Sequence, residues 1–175
     1  MARAAAVVSG DGAEIQSLLD SLFFGEIPDF ELAALVATDS GPSLRRGEAQ
    51  HIPGYTVDAS IFPNAATFTR ALTAKLLDLD VDTAVLAAVE PEPDESFYRA
   101  FTGRCVCLRL AAEEGRLTAS ALLADADGSA ARRLGRAGIE LLPGEDGRSA
   151  RRRLVEAGSG DLLAEAVKSC MRDFH

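Results

Sequence analysis

Two short stretches and one charge cluster hold the residue types from which chemistry could be built. The first stretch, SGDG at residues 9–12, follows the apolar run AAAVV (4–8) and leads into AEIQSLLDSL (13–22). In a strand-turn-helix unit of this kind, spare backbone N–H groups at the helix start bind anions, and glycines let a phosphate come close. Ser9, Gly10, Asp11, Gly12, Ala13 and Glu14 therefore form the candidate phosphate loop. The tetrapeptide alone is a weak signal, and two of its neighbours oppose the ligand. Asp11 and Glu14 set two carboxylates beside the seat of a dianion, each costing on the order of 1 kcal/mol or more. Aspartate followed three residues later by glutamate is also a helix-capping pattern, so both are expected to satisfy the helix's own N–H groups, with metal or ligand binding as the alternative.

The second stretch is CVCLR at 105–109. On a strand, Cys105 and Cys107 share a face, which makes a buried structural thiol pair the expected reading, since no further Cys or His flanks them to complete a metal site. Arg109 occupies the next position on that face. If the side chains met, it would depress the pKa of Cys107 and give a thiolate. Between Arg132 and Arg153 lies the charge cluster, seven arginines against Glu140, Glu145 and Asp146. A solvated helix face is the expected reading, and an anion or partner site the alternative.

The elements that must position these residues are legible as alternating runs. Apolar stretches at 4–8, 31–37, 54–57, 83–89, 105–111 and 118–124 suit strands covered on both faces. Between them Ile15, Leu18, Leu19, Leu22 and Phe23 recur at helical spacing, as do Phe68, Leu72, Leu76 and Leu79. Near the C-terminus a helix is expected from about Ser149, broken by GSG (158–160) and resumed with Leu162, Leu163, Ala166, Val167 and Cys170 on one face. The pattern is α/β, a mostly parallel central sheet with helices on both faces.

Length and charge bound the function. The 175 residues suit one domain spanning 1–175 that buries its core without disulfides or metal. A net charge of −9 argues against broad nucleic-acid or anionic-membrane surfaces. Three cysteines, with no signal-peptide pattern or membrane-length apolar run, fit a reducing cytoplasmic setting.

The longer context of the glycine turn is more specific. VVSGDGAEIQSLLDSL (7–22) resembles the opening of the phosphoribosylglycinamide formyltransferases, which reads roughly Val-Ser-Gly-Asn-Gly-Ser-Asn-Leu-Gln-Ala-Leu-Ile-Asp. VDTAVLAAV (81–89) with FYRAFTGR (97–104) resembles that family's apolar strand and the helix leading to Gly-Arg. HIPGYTVDASIF (51–62) is similar to its Gly-Ile-Pro stretch, and ELLPGEDGRSARRRLVEA (140–157) to its Val-Pro-Val and Gly-Asp segment. The likeness covers almost the whole chain in order. It implies a Rossmann-like formyltransferase fold, a place in purine biosynthesis, formyl-tetrahydrofolate as donor and a phosphoribosyl glycinamide amine as acceptor.

Formyl transfer to an amine passes through an oxyanion, so it needs a donor for that oxygen and a group that moves the amine's proton. In the family an Asn-x-His-Pro-Ser motif and a later Asp take those parts. The matching positions here are Cys107 for the asparagine, Arg109 for the histidine and Asp127, in ADADGSA (124–130), for the aspartate. Arginine stays protonated and cannot serve as a base. His51 matches a loop on the other half of the domain, and His175 is the last residue. The family's loop of about twenty residues, a lid over the site, is expected to be missing between Arg109 and TASALLA (118–124). At the folate-pocket position stand Val89, Glu90, Pro91 and Glu92, within a run of four acids and two prolines (90–95) expected to be solvated and stiff.

These substitutions point to a formyltransferase-like protein whose catalytic function is lost or redirected, a pseudoenzyme. Two other readings stay open: an active enzyme using Asp127, Cys107 and Arg109 with formyl-tetrahydrofolate, favoured by a pocket among them, or a non-enzymatic binding partner, favoured by a large apolar patch. A small-molecule ligand, neutral or cationic, and a homodimer are compatible with the sequence. Nucleic acid and membrane are not expected.

Overall fold

In the computed structural model, which describes residues 1–174, seven strands form one sheet. They are β1 (Ala2–Val8), β2 (Phe30–Ala37), β3 (Gly54–Thr56), β4 (Thr83–Ala87), β5 (Cys105–Glu113), β6 (Arg116–Ala124) and β7 (Ala130–Glu140), in the order β3-β2-β1-β4-β5-β6-β7. Pairings from β3 through β5 are parallel, whereas β6 and β7 run antiparallel to their neighbours. The sheet is therefore mostly parallel, as the doubly covered apolar runs require.

Alternation along the strands splits the core into two layers. Ala4, Ala6, Val8, Leu35, Val85, Val106 and Leu108 pack with α1 (Gln16–Phe23), α4 (Gly147–Glu156) and α5 (Ser159–Asp173) on one face. Ala5, Val7, Val36, Leu86, Cys105 and Cys107 pack with α2 (Ala65–Asp78) and α3 (Glu95–Ala100) on the other. Phe68, Leu72 and Leu76 are fully buried at helical spacing on α2, each contributing about 1.5–3 kcal/mol by leaving water. Asn64 caps that helix by accepting from the Thr67 N–H at 2.9 Å. Of the expected helical stripe at the N-terminus, Phe23 departs: it ends α1 exposed, edge-to-face with the exposed Phe24.

The chain reverses direction across the sheet at β1, which has β2 on one side and β4 on the other. Loops at the carboxyl ends of these two neighbouring strands, β1 and β4, diverge there and leave the crevice in which such sheets place their ligands. Residues 9–14 follow β1, and residues 88–92 follow β4.

Two features shape this end of the molecule, the second a departure from the sequence reading. β5 and β6 extend to Glu113 and Arg116 and are joined only by Glu114 and Gly115, whose φ angles of 51° and 75° make the tight turn favoured in two-residue hairpins. No lid-length loop intervenes. Residues 130–140 form an edge strand, not part of a helical face, so Arg132, Arg133 and Arg136 lie on β7 while Arg148, Arg151, Arg152 and Arg153 lie on α4. The strand escapes period-two reading because its register slips: Ala121 pairs with Gly135 but Leu122 with Arg133, leaving Leu134 as an extra residue.

Candidate functional site

In the glycine turn after β1 the N–H groups of Gly10, Gly12 and Ala13 are bonded within the protein. Asp39, from the loop after β2, accepts from the Gly10 N–H at 2.8 Å through one carboxylate oxygen and from the Gly41 N–H at 2.9 Å through the other. Asp11 accepts from the Ala13 N–H at 3.0 Å, and the Gly12 N–H donates to the Ser9 carbonyl. Gly12 and Gly41 serve chain packing. A Cβ on Gly41 would lie 2.5 Å from the Gly10 carbonyl oxygen, and one on Gly12, at φ 69°, would lie 2.8 Å from Ser43 Cβ. Arg46 seals this contact by donating from Nε to the Asp11 carbonyl at 2.6 Å.

Glu14 does not reach back to cap the helix. Its Oε1 accepts from Arg151 Nε at 3.0 Å and from Nη2 at 2.8 Å, and Nη2 also donates to the Ala88 carbonyl at 3.0 Å. The Glu14 side chain is 4% exposed and that of Arg151 19%. A charge so placed must find a partner, and a guanidinium satisfies it better than one local amide. The other oxygen, Oε2, is buried with no hydrogen-bond partner among the described residues. Arg151 thus clamps three segments together: the glycine turn, the chain after β4, and α4.

Around this clamp lies an open cleft of about 1100 Å³. Asp11, Asp39 and Glu90 stand on one side, Arg148 and Arg152 of α4 on the other, and Leu110, Leu117, Leu141 and Val155 line the apolar part. Glu145 also borders it but is taken by two bonds from Arg153, whose guanidinium holds the carboxyl below its ordinary range. Asp146 caps α4 through the Ser149 N–H at 2.7 Å, which lowers its pKa likewise.

At the folate-pocket position Glu90, Pro91 and Glu92 are exposed as expected, but Val89 is buried, and the space is small. The cavity between 88–92 and 108–110 measures about 90 Å³, far below the roughly 300 Å³ at which ligand pockets begin. Glu92 and Arg109 line it, and Tyr98 contacts both. Tyr98 of α3 donates its hydroxyl to Glu92 Oε1 at 2.9 Å, Arg109 pairs with the same oxygen, and the Arg109 guanidinium lies 5.4 Å from the centre of the Tyr98 ring. Burial, followed by the nearby Cys107, pushes the Tyr98 hydroxyl up, which keeps it a donor. A fused pterin ring is larger than this space alone, which shares Glu90 and Leu110 with the larger cleft.

Of the three residues matched to the family's catalytic positions, no two are joined by a hydrogen bond among the described residues. Cys107 is wholly buried with its Sγ 3.6 Å from that of Cys105, the structural thiol pair expected from their spacing, and burial pushes the Cys105 thiol well up. Arg109 is committed to Glu92. Asp127 is exposed in the β6–β7 turn, where it accepts from the Ser129 hydroxyl at 2.6 Å and the Ser129 N–H at 2.9 Å, bonds that lower its pKa. Neither cavity has Cys107 or Asp127 in its wall. Gly128 follows Asp127, and a Cβ there would sit 2.8 Å from Tyr98 Cδ2, so the Tyr98 ring lies directly beneath the turn. His51 is exposed at the end of the 3-10 turn 42–50, and His175 lies outside the described residues. No cluster of His, Cys, Asp or Glu able to hold a metal exists among the described residues, and none of their helices is long and apolar enough to cross a membrane.

Sequence reasoning missed Asp39, Arg151 and Tyr98. Asp39 sits in TDSG after a strand and reads as an ordinary turn residue. Arg151 is one of four arginines within six residues (148–153), and only the tertiary fold distinguishes it.

No protein-family model and no curated protein matches the chain. Solved structures do. Glycinamide ribonucleotide transformylase 1 from Symbiobacterium toebii superposes with a TM-score of 0.79 at 19% identity, covering 99% of this chain and 89% of its own. Phosphoribosylglycinamide formyltransferase from Brucella melitensis gives 0.74 at 18% over 97% and 95%, and that from Streptococcus pneumoniae TIGR4 gives 0.71 at 18% over 97% and 98%. The fold of this chain is that of the phosphoribosylglycinamide formyltransferases.

Proposed function

We propose that this chain is a phosphoribosylglycinamide formyltransferase-like protein that does not transfer formyl groups, and that it acts by binding through its rebuilt cleft and surface. The observation that carries the reading is that side chains of the protein itself engage the groups expected to meet ligand. Asp39 takes the Gly10 N–H, Arg151 takes Glu14, and Tyr98 and Arg109 converge on Glu92, while the glycine turn still borders the open cleft. At the position matched to the family's histidine, Arg109 stays charged at any working pH and cannot take up a proton. The 1100 Å³ cleft remains open to a small molecule of another kind.

The test pairs calorimetric titration of glycinamide ribonucleotide and a stable formyl-folate analogue with a formyl-transfer assay. Neither compound is expected to bind below millimolar concentration, and no formylated product is expected. Turnover that Asp127→Asn abolishes would instead establish an active enzyme with an altered site.

A further inference from the structure

We propose that β7 is a docking edge for an extended acidic segment of a partner protein, which adds to the sheet as an eighth strand and sets its carboxylates against Arg133 and Arg136. β7 closes the strand order and pairs with β6 alone, so the backbone groups along its outer edge have no strand to bond among the described residues. It is eleven residues long, about twice the usual strand.

The bulge decides what this edge displays. Arg133 and Arg136 are three apart in sequence and on a regular strand would point to opposite faces. With Leu134 inserted, Arg133 stands opposite Leu122 and Arg136 opposite Ser120, two positions of β6 that share a face. In the next strand Leu122 pairs with Cys107 and Ser120 with Arg109, which puts both β7 arginines on the side of α2 and α3. Beyond α3 that side is bare: Ala111, Arg116, Arg133, Arg136 and Gly138 are all exposed. The opposite side is covered by α5, to which Arg132 turns to meet Asp173. Arg133 and Arg136 have no hydrogen bond or ion pair among the described residues.

Charge and composition select the occupant. Two cations without side-chain partners on an open edge fit carboxylates on alternate residues of an added strand, a local attraction that works against the overall charge of −9, with main-chain bonds supplying affinity. A second copy would bring arginine against arginine across the new pairing. Single-stranded nucleic acid needs aromatic platforms, and this face exposes none.

The probe is a fluorescein-labelled nonapeptide alternating Glu with Val, titrated against the full chain by fluorescence anisotropy. Binding is expected, weakened at least tenfold by Arg133→Glu with Arg136→Glu, and at least tenfold by N-methylation of alternate peptide residues. Hydrogen exchange should slow at the outward-facing amides of 130–140. Circular dichroism and melting of the double variant check that both side chains are dispensable for folding. No binding at millimolar peptide overturns the proposal, as does binding indifferent to N-methylation, equal binding of oligo-dT, or a dimer of the chain that the double variant abolishes. None of these outcomes bears on the formyl-transfer assay, so the two readings fail separately.

Discussion

Glu14 and Arg151, 137 positions apart in the chain, meet through two hydrogen bonds to a single carboxylate oxygen in the place where the glycine turn faces α4. The pair places an internal ion pair beside the glycine turn. It ties the C-terminal helices to the first turn of the fold.

Arg151→Ala should destabilise the chain by about 3 kcal/mol, because it strands a buried carboxylate without its cation. Urea denaturation measures this directly. Adding Glu14→Gln to an Arg151→Met background should recover most of the loss, since a neutral pair leaves no buried charge. A single Arg151→Ala cost under 1 kcal/mol would show that the pair is only a surface contact.

Asp39→Ser frees the amides of Gly10 and Gly41 and removes a negative charge from the turn. Inorganic phosphate at tens of millimolar should leave the melting temperature of the natural chain unchanged. It should raise that of the variant by about 3 °C, the shift corresponding to roughly 1 kcal/mol of ligand stabilisation at this size. An equal phosphate response in both proteins would mean that Asp39 does not close the turn.

Gly128→Ala should cost about 2 kcal/mol through two separate effects. The residue has φ 84°, and the new methyl would lie within 3 Å of the Tyr98 ring. In a Tyr98→Leu background the steric part should vanish and about 1 kcal/mol remain, a coupling read from a double-mutant cycle by chemical denaturation. Additive effects would place the ring elsewhere.

How far the sequence reveals this molecule depends on whether the deciding interaction is local. β1, β2, β4 and β5 are legible from runs such as AAAVV and TAVLAAV because burial on both faces leaves a continuous apolar trace. β7 is not, since an exposed edge needs no apolar alternation and its bulge breaks the period. That Cys107 and Arg109 stand where the family has asparagine and histidine can be read from residue type alone, and a permanent cation takes up no proton. Which partners the acids find cannot. Glu14 looks like a cap until α4 arrives with Arg151, and Glu92 looks like a solvated acid until Tyr98 and Arg109 converge on it.

The two-residue connection at Glu114 and Gly115 has a kinetic consequence. A flexible flap makes entry and exit wait on its own opening, whereas this hairpin is held by eight cross-strand pairings and has nothing to swing. Any guest of the large cleft meets a doorway without a door at that side, so its escape does not wait on this hairpin.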